Sequence, residues 1–277
     1  MKHIYLNLKR FDIPAEYGGV NRIAASENWG EYIVRSVENE LQQYQKEELE
    51  FAAFLPEAHI LGAVRAQQSD SILQIGCQGV YREDTASGGN FGAFTTQRTA
   101  NSMKALGCGC TIIGHCEERR DKAGILMEAG VKDTDAINRL LNQEIKAAVK
   151  AGMKVLYCIG ETAEEQERWQ EVLGSQLRIG LEGINRARIV IAYEPVWAIG
   201  PGKTPPDRDY IKKIASFVKE VTEGLPVVYG GGLKVENATM LASIPEIDGG
   251  LIALTRFQGE IGFYPEEYLE IIRTYLV

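Results

Sequence analysis

Four side chains with chemistry to offer stand at or just beyond the ends of apolar runs. Asn7 and Lys9 close the first run, residues 4–8. Residues two apart on an extended strand point the same way, so the pair sets an amide and an ammonium on one face. That combination suits an anionic substrate. His115 follows the run at 111–113 and precedes a charged stretch with a helical start at Cys116. A helix N-terminus disfavours added positive charge, so this imidazole is expected to be neutral and to act as a hydrogen-bond donor or acid. Glu194 ends the run at 189–193 and is followed by Pro195. Partial burial raises a carboxylate's pKa toward neutrality, which makes Glu194 a candidate general base. Taken singly, each also fits a plainer reading: a solvated lysine beside a turn, a structural histidine, a salt-bridged carboxylate.

The segment from Pro195 to Thr204 is apolar at its centre, through Val196, Trp197, Ala198 and Ile199. Gly200, Pro201 and Gly202 then precede Lys203 and Thr204. A stiff apolar centre between articulated ends suits a lid that excludes water. Gly230, Gly231 and Gly232 follow another apolar run and leave backbone N–H groups open to an anion. Glu161, between Gly160 and Thr162, reads as a structural carboxylate beneath the site.

The elements that must position these groups alternate along the chain. Short apolar runs recur at residues 4–8, 51–55, 72–75, 111–113, 154–159, 189–193, 226–229 and 251–254. Amphipathic stretches lie between them. Residues 133–150 set Ile137, Leu140, Leu141, Ile145 and Val149 near one face, and 209–221 repeat the pattern. A last helix is expected to start at Pro265, with Glu266 and Glu267 favourable to its dipole. Strands alternating with helices imply parallel pairing. An open doubly wound sheet and a closed (β/α)8 barrel both fit that periodicity. Polar residues and glycines at the C-terminal ends of the runs favour the barrel, where those ends converge on one face. The absence of a G-x-G-x-x-G fingerprint after the first strand points the same way. Periodicity alone leaves the two folds open, and the reading of the α/β chain as one (β/α)8 barrel domain over residues 1–277 rests also on the motifs below; long connections at 11–44 and 80–93 suggest functional or interfacial loops.

Composition sets the outer bounds. The chain has 277 residues, 45% hydrophobic and 25% charged, which supports a packed core and excludes disorder. Its formal charge of −8 makes it a poor general partner for nucleic acid or an anionic membrane. The N-terminal stretch is interrupted by Asn7, Lys9 and Arg10, unlike a signal peptide, so a soluble cytoplasmic protein is expected. Five scattered cysteines without a C-x-x-C and only three histidines argue against a zinc site. Neither a metal nor a cofactor is expected.

The motifs resemble those of the triosephosphate isomerase family. The matching segments are Asn7-Leu8-Lys9, Gly92-Ala93-Phe94-Thr95, Ile113-Gly114-His115-Cys116-Glu117, Cys158-Ile159-Gly160-Glu161-Thr162, the segment from Ala192 to Thr204, and Tyr229-Gly230-Gly231. They fall in the family's order over nearly the whole chain, and Tyr193-Glu194-Pro195-Val196-Trp197-Ala198-Ile199-Gly200 with Gly202-Lys203-Thr204 is very specific. The resemblance implies a TIM barrel that interconverts dihydroxyacetone phosphate and glyceraldehyde 3-phosphate through an enediolate, in glycolysis and gluconeogenesis. It implies Glu194 as the base, His115 as the neutral electrophile and Lys9 as the cation offsetting enediolate charge, with Asn7 placing the substrate. Gly200 and Gly232 resemble phosphate-contacting backbone positions. Pro195, Trp197, Gly202, Lys203 and Thr204 belong to the lid, and Tyr229 resembles its latch. A homodimer through the loop around Thr95 is implied as well.

Several positions depart from the family pattern. Gly232 stands where a serine is usual, and Cys116 replaces another serine. Ala253 and Leu254, followed by Thr255 and Arg256, stand where a Gly-Gly pair cradles phosphate. Side chains there narrow the backbone approach, and Arg256 is a candidate to grip phosphate bidentately instead. Gln97 occupies the place of an interface glutamate, and one extra residue is read at Glu117-Glu118. Two alternatives follow: a paralogous isomerase for a longer sugar phosphate such as a tetrulose phosphate, and a non-catalytic phosphosugar-binding protein.

Overall fold

The computed structural model describes residues 1–200 and 203–277. Its centre is a closed barrel of parallel strands in sequence order: β1 (Lys2–Asn7), β2 (Leu49–Leu55), β3 (Leu73–Cys77), β4 (Cys110–Ile113), β5 (Lys154–Ile159), β6 (Ile189–Tyr193), β7 (Val227–Tyr229) and β8 (Gly249–Ile252). β8 closes the ring on β1, with Tyr5 opposite Leu251 on one side and Ala52 on the other. Helices α1 (Trp29–Leu41), α2 (Glu57–Ala66), α3 (Ala100–Ala105), α4 (Cys116–Glu128), α5 (Thr134–Lys150), α6 (Trp169–Gly180), α7 (Arg208–Thr222), α8 (Val235–Ala242) and α9 (Pro265–Leu276) connect the strands and follow the last one. Of the two architectures that the alternation of runs fits, the chain adopts the (β/α)8 barrel.

Strand alternation sorts the side chains into two cores. Ile4, Leu6, Phe51, Val155 and Ile191 face outward and are covered by the apolar faces of the helices. Tyr5, Phe54, Ile112, Leu156, Val190 and Leu251 face inward and fill the barrel. Side-chain N-caps open two of the helices: Asp133 accepts from Ala136 N at 2.9 Å to start α5, and Asp207 accepts from Tyr210 N at 2.8 Å to start α7. Among the described residues no helix is long and apolar enough to cross a membrane.

β8 departs most from its apolar run, beginning and ending two residues earlier. The run at 251–254 places it too late, because Gly249 and Gly250 look like breakers. Both belong to the strand. A Cβ on Gly249 would lie 1.7 Å from His3 O, and one on Gly250 2.8 Å from Leu233 Cβ, so close approach to neighbouring segments requires glycine there. Ala253 and Leu254 consequently lie beyond the strand, in the loop that follows it.

The N-terminal end of the barrel is closed by a charged cluster. Glu50 accepts from Lys154 Nζ at 2.6 Å, Tyr5 OH at 3.0 Å and Gln74 Nε2 at 2.8 Å, and its Oε2 lies 2.6 Å from His3 Nδ1. Burial pushes the Glu50 carboxyl up, but bonds and charge from His3 and Lys154 outweigh it and hold the pKa at about 2. Because the folded pKa lies below the unfolded value, the stabilisation is present above pH 4.5 and fades as pH falls toward 2. Urea unfolding should therefore show Glu50→Gln less stable than wild type by about 3 kcal/mol at roughly pH 6, and by less than half of that near pH 3. A gap that does not shrink with acid would refute this account.

Candidate active site

At the opposite end of the barrel the inward positions converge. Asn7 continues the inward parity of Tyr5, and Glu194 continues that of Val190 and Ala192. Asn7 Oδ1 accepts from Lys9 N at 3.0 Å. This bond supports Lys9 in a left-handed conformation, φ 41°, that a residue with a Cβ rarely adopts. Gln78, just past β3, clamps the same turn: its Nε2 donates to Lys9 O at 2.9 Å and to Phe54 O at 3.2 Å. The strained turn thus aims the ammonium toward α4, where Lys9 Nζ donates to Glu117 Oε1 at 2.7 Å. Burial pushes Glu117 up, but the Lys9 bond and charge carry its pKa below the ordinary carboxylate value.

His115 caps α4. Its Nδ1 accepts from Glu117 N at 3.3 Å, which leaves Nε2 as the ring nitrogen that carries the hydrogen of the neutral imidazole. Nε2 lies 3.3 Å from Glu194 Oε1. Glu194 is 1% exposed, and its Oε2 accepts from Cys116 N at 2.9 Å. Burial raises its pKa, and the opposing pull of His115, the Cys116 N–H and Lys9 only partly offsets that. Glu194 Oε1 is buried and accepts no hydrogen bond among the described residues. Lys9, Glu117, His115 and Glu194 thus form one chain of neighbouring polar groups, drawn from β1, α4 and β6. The arrangement sets a buried carboxylate, an imidazole and an ammonium at one mouth of the barrel.

Beneath it, Glu161 is fully buried and gathers donors from Tyr193, Trp197 and Tyr210. Its Oε1 accepts from Trp197 Nε1 at 2.8 Å, Tyr193 OH at 2.9 Å and Tyr210 OH at 3.1 Å. Burial raises its pKa despite these donors. Pro195 is buried and Trp197 half-buried, while Gly200, Lys203 and Thr204 are exposed; Gly202 lies outside the described residues. Tyr229 is buried under the glycines, so that a Cβ on Gly231 would lie 2.3 Å from its hydroxyl, and one on Gly230 2.8 Å from Glu194 Cγ. Bare backbone is what allows this loop to lie against the carboxylate.

The anion side differs more from expectation. Gly232 has φ 95° and its carbonyl accepts from Asn237 Nδ2 at 2.9 Å. Leu233 N donates to Leu251 O at 3.0 Å, which ties this loop to β8 below Ala253 and Leu254. Arg256, however, is already engaged: its Nε donates to Glu267 Oε1 at 2.7 Å and its guanidinium stacks 3.8 Å from the Tyr264 ring. The fork that the sequence assigns to phosphate is filled by a carboxylate of α9, so Arg256 secures the loop after β8. The cation beside Gly232 is Lys234, with Nζ 3.8 Å from the Phe257 ring. Sequence reasoning passed over Gln78, Lys234 and Tyr210. An amide just past the end of β3 was the available signal for Gln78; no pattern marks the other two.

A family model for triosephosphate isomerase matches residues 27–273. The chain belongs to the triosephosphate isomerase family. Among curated members, the triosephosphate isomerase of Geobacter metallireducens is 38% identical over 206 residues, covering 70% of this chain and 75% of that protein. That of Syntrophotalea carbinolica is 35% identical over 226 residues, 77% of this chain and 80% of the other. In fold, the crystal structure of triosephosphate isomerase from Bartonella henselae matches with a TM-score of 0.72 at 21% identity, over 100% of this chain and 99% of that one.

In this family member Glu161 is the anchor of the segment next to Glu194. Glu161→Leu strands three donors and should lower unfolding stability by roughly 3 kcal/mol or more, whereas Glu161→Gln, which keeps an acceptor, should cost about 1–2 kcal/mol. Urea unfolding followed by tryptophan fluorescence measures both; equal stability of the two variants would contradict the role given to this carboxylate.

Proposed function

We propose that this protein is an aldose–ketose isomerase that interconverts dihydroxyacetone phosphate and glyceraldehyde 3-phosphate, with Glu194, His115 and Lys9 as its catalytic residues. The observation that carries the assignment of roles is the desolvated Glu194 carboxylate, 3.3 Å from His115 Nε2. Glu194 takes a proton from the hydroxymethyl carbon of the ketose. His115 Nε2–H polarises the carbonyl oxygen, and Lys9 offsets the charge of the enediolate that forms. The imidazole then passes a proton between the two oxygens, and protonated Glu194 returns its proton to the former carbonyl carbon. Asn7 orients the substrate through the turn it shares with Lys9. The backbone around Gly200 and Gly232, with Ala253 and Leu254, receives the phosphate.

Glu194→Gln should lower kcat by roughly 10²–10⁴-fold, the usual contribution of one general base. For wild type, the acid limb of kcat/KM should lie above the ordinary carboxylate value of 4.5, because burial raises the Glu194 pKa and activity requires its charged form. Assaying triose and tetrulose phosphates side by side decides the substrate: a triose kcat/KM far below the tetrose value would overturn the assignment. Binding of either sugar phosphate without turnover would leave a phosphosugar-binding protein.

The same reading includes a homodimer through the loop around Thr95. Thr95 and Gln97 are exposed, Phe91 is 91% exposed, and α4 buries none of its residues fully while exposing Ile125 and Met127. Apolar surface of this kind suits a second copy of the chain. Light scattering should give twice the 30.7 kDa chain mass, and a value of one chain mass at working concentration would refute the dimer.

A further inference from the structure

One half-buried cation at this mouth has no carboxylate. Lys9 is paired with Glu117 and Arg256 with Glu267, whereas Lys234, just before α8, forms no ion pair among the described residues. Its stem runs beside the bare backbone of Gly232: a Cβ on that glycine would lie 3.5 Å from Lys234 Cε. Its Nζ sits 3.8 Å from the centre of the Phe257 ring, in the loop after β8. The ammonium therefore lies between the loops that follow β7 and β8. The second of these loops is built to present Phe257. Arg256 and Gly262 pair antiparallel at the base of a small hairpin, Arg256 is fastened to Glu267 of α9, and Phe257 stands next along, 44% exposed. A phenyl face holds a lysine without neutralising it. Burial pulls the Lys234 ammonium below the ordinary lysine pKa, and the Glu236 charge only partly offsets that. A positive charge is thus held in place with its countercharge left to a ligand.

We propose that Lys234 is a further substrate-binding residue: its ammonium pairs with the phosphate dianion of the sugar phosphate, and Phe257 steers it there. This role rests on the isomerase reading of the site, which puts phosphate at the backbone of Gly232, Ala253 and Leu254. Side chains at 253 and 254 narrow the approach of backbone N–H groups to that anion. A compact charge on a flexible four-carbon stem meets it without needing that approach. Ammonium–phosphate bonds are charge-assisted and stronger than bonds from neutral N–H groups. The dianion does for Lys234 what Glu117 does for Lys9. Arg256 acts at one remove: it touches no phosphate, and through the hairpin it positions Phe257 against the lysine.

Binding of inorganic phosphate, followed by isothermal titration calorimetry, reads the pairing without any need for turnover. Lys234→Gln and Lys234→Met should each weaken phosphate binding by about 10–100-fold, and Lys234→Arg should stay within about threefold of wild type. Lys234→Met keeps the stem beside Gly232, so a loss that it shares with Lys234→Gln is a loss of charge. Turnover separates pairing from damage to the fold. For Lys234→Gln, kcat/KM on dihydroxyacetone phosphate should fall by about the same factor, while kcat/KM on glyceraldehyde, which carries no phosphate, should stay near wild type. Unchanged phosphate affinity in both neutral variants, or equal losses on the two substrates, would overturn the proposal. Phosphate affinity that depends on Lys234 in a protein that turns over neither substrate keeps the anion contact and defeats the isomerase assignment instead.

Discussion

A side chain on a strand faces one of two ways, and in a closed barrel one of those ways is inward. The functional geometry of this protein depends on that constraint. Asn7 and Glu194 are inward residues one step beyond the packed column of Tyr5, Phe54, Ile112, Leu156 and Leu251. They meet because their strands share a ring, although 187 positions separate them along the chain. The column below gives the carboxylate a dry floor, and that floor raises its proton affinity. The same parity brings Gly230 inward against Glu194 Cγ, where any side chain would displace the carboxylate.

Much of this was legible in the residues, for identifiable reasons. Buried parallel strands are continuous apolar runs, so seven strands lie close to where the runs put them. β8 is the instructive exception, because its first two residues are glycines demanded by contacts with His3 and Leu233 that no local pattern reveals. Single-residue candidates at strand ends were legible for a related reason: a polar group at the end of an apolar run has few structural uses. What escaped was pairing. Arg256 has the right chemistry for phosphate, but Glu267 lies eleven residues on, at the start of a helix, and captures it.

Local strain is placed where it aims a charge. Lys9 holds a conformation that costs on the order of 1–3 kcal/mol, and it is held there by Asn7 and by Gln78, which also grips the end of β2. Three strand ends therefore cooperate to point one ammonium. Glu117, two residues after His115, completes the linkage by joining that ammonium to the helix whose N-terminus carries the imidazole. Lys9 and His115 are in this sense one unit, and Glu194 is attached to it through the Cys116 amide.

The ionic cluster around Glu50 has a bearing on traffic. Between it and the upper layers, the void bounded by Tyr5, Phe54 and Leu156 leaves no room for a water molecule. A tube stoppered at its foot has a single doorway. Whatever meets Lys9, His115 and Glu194 must therefore come and go on the side away from Glu50.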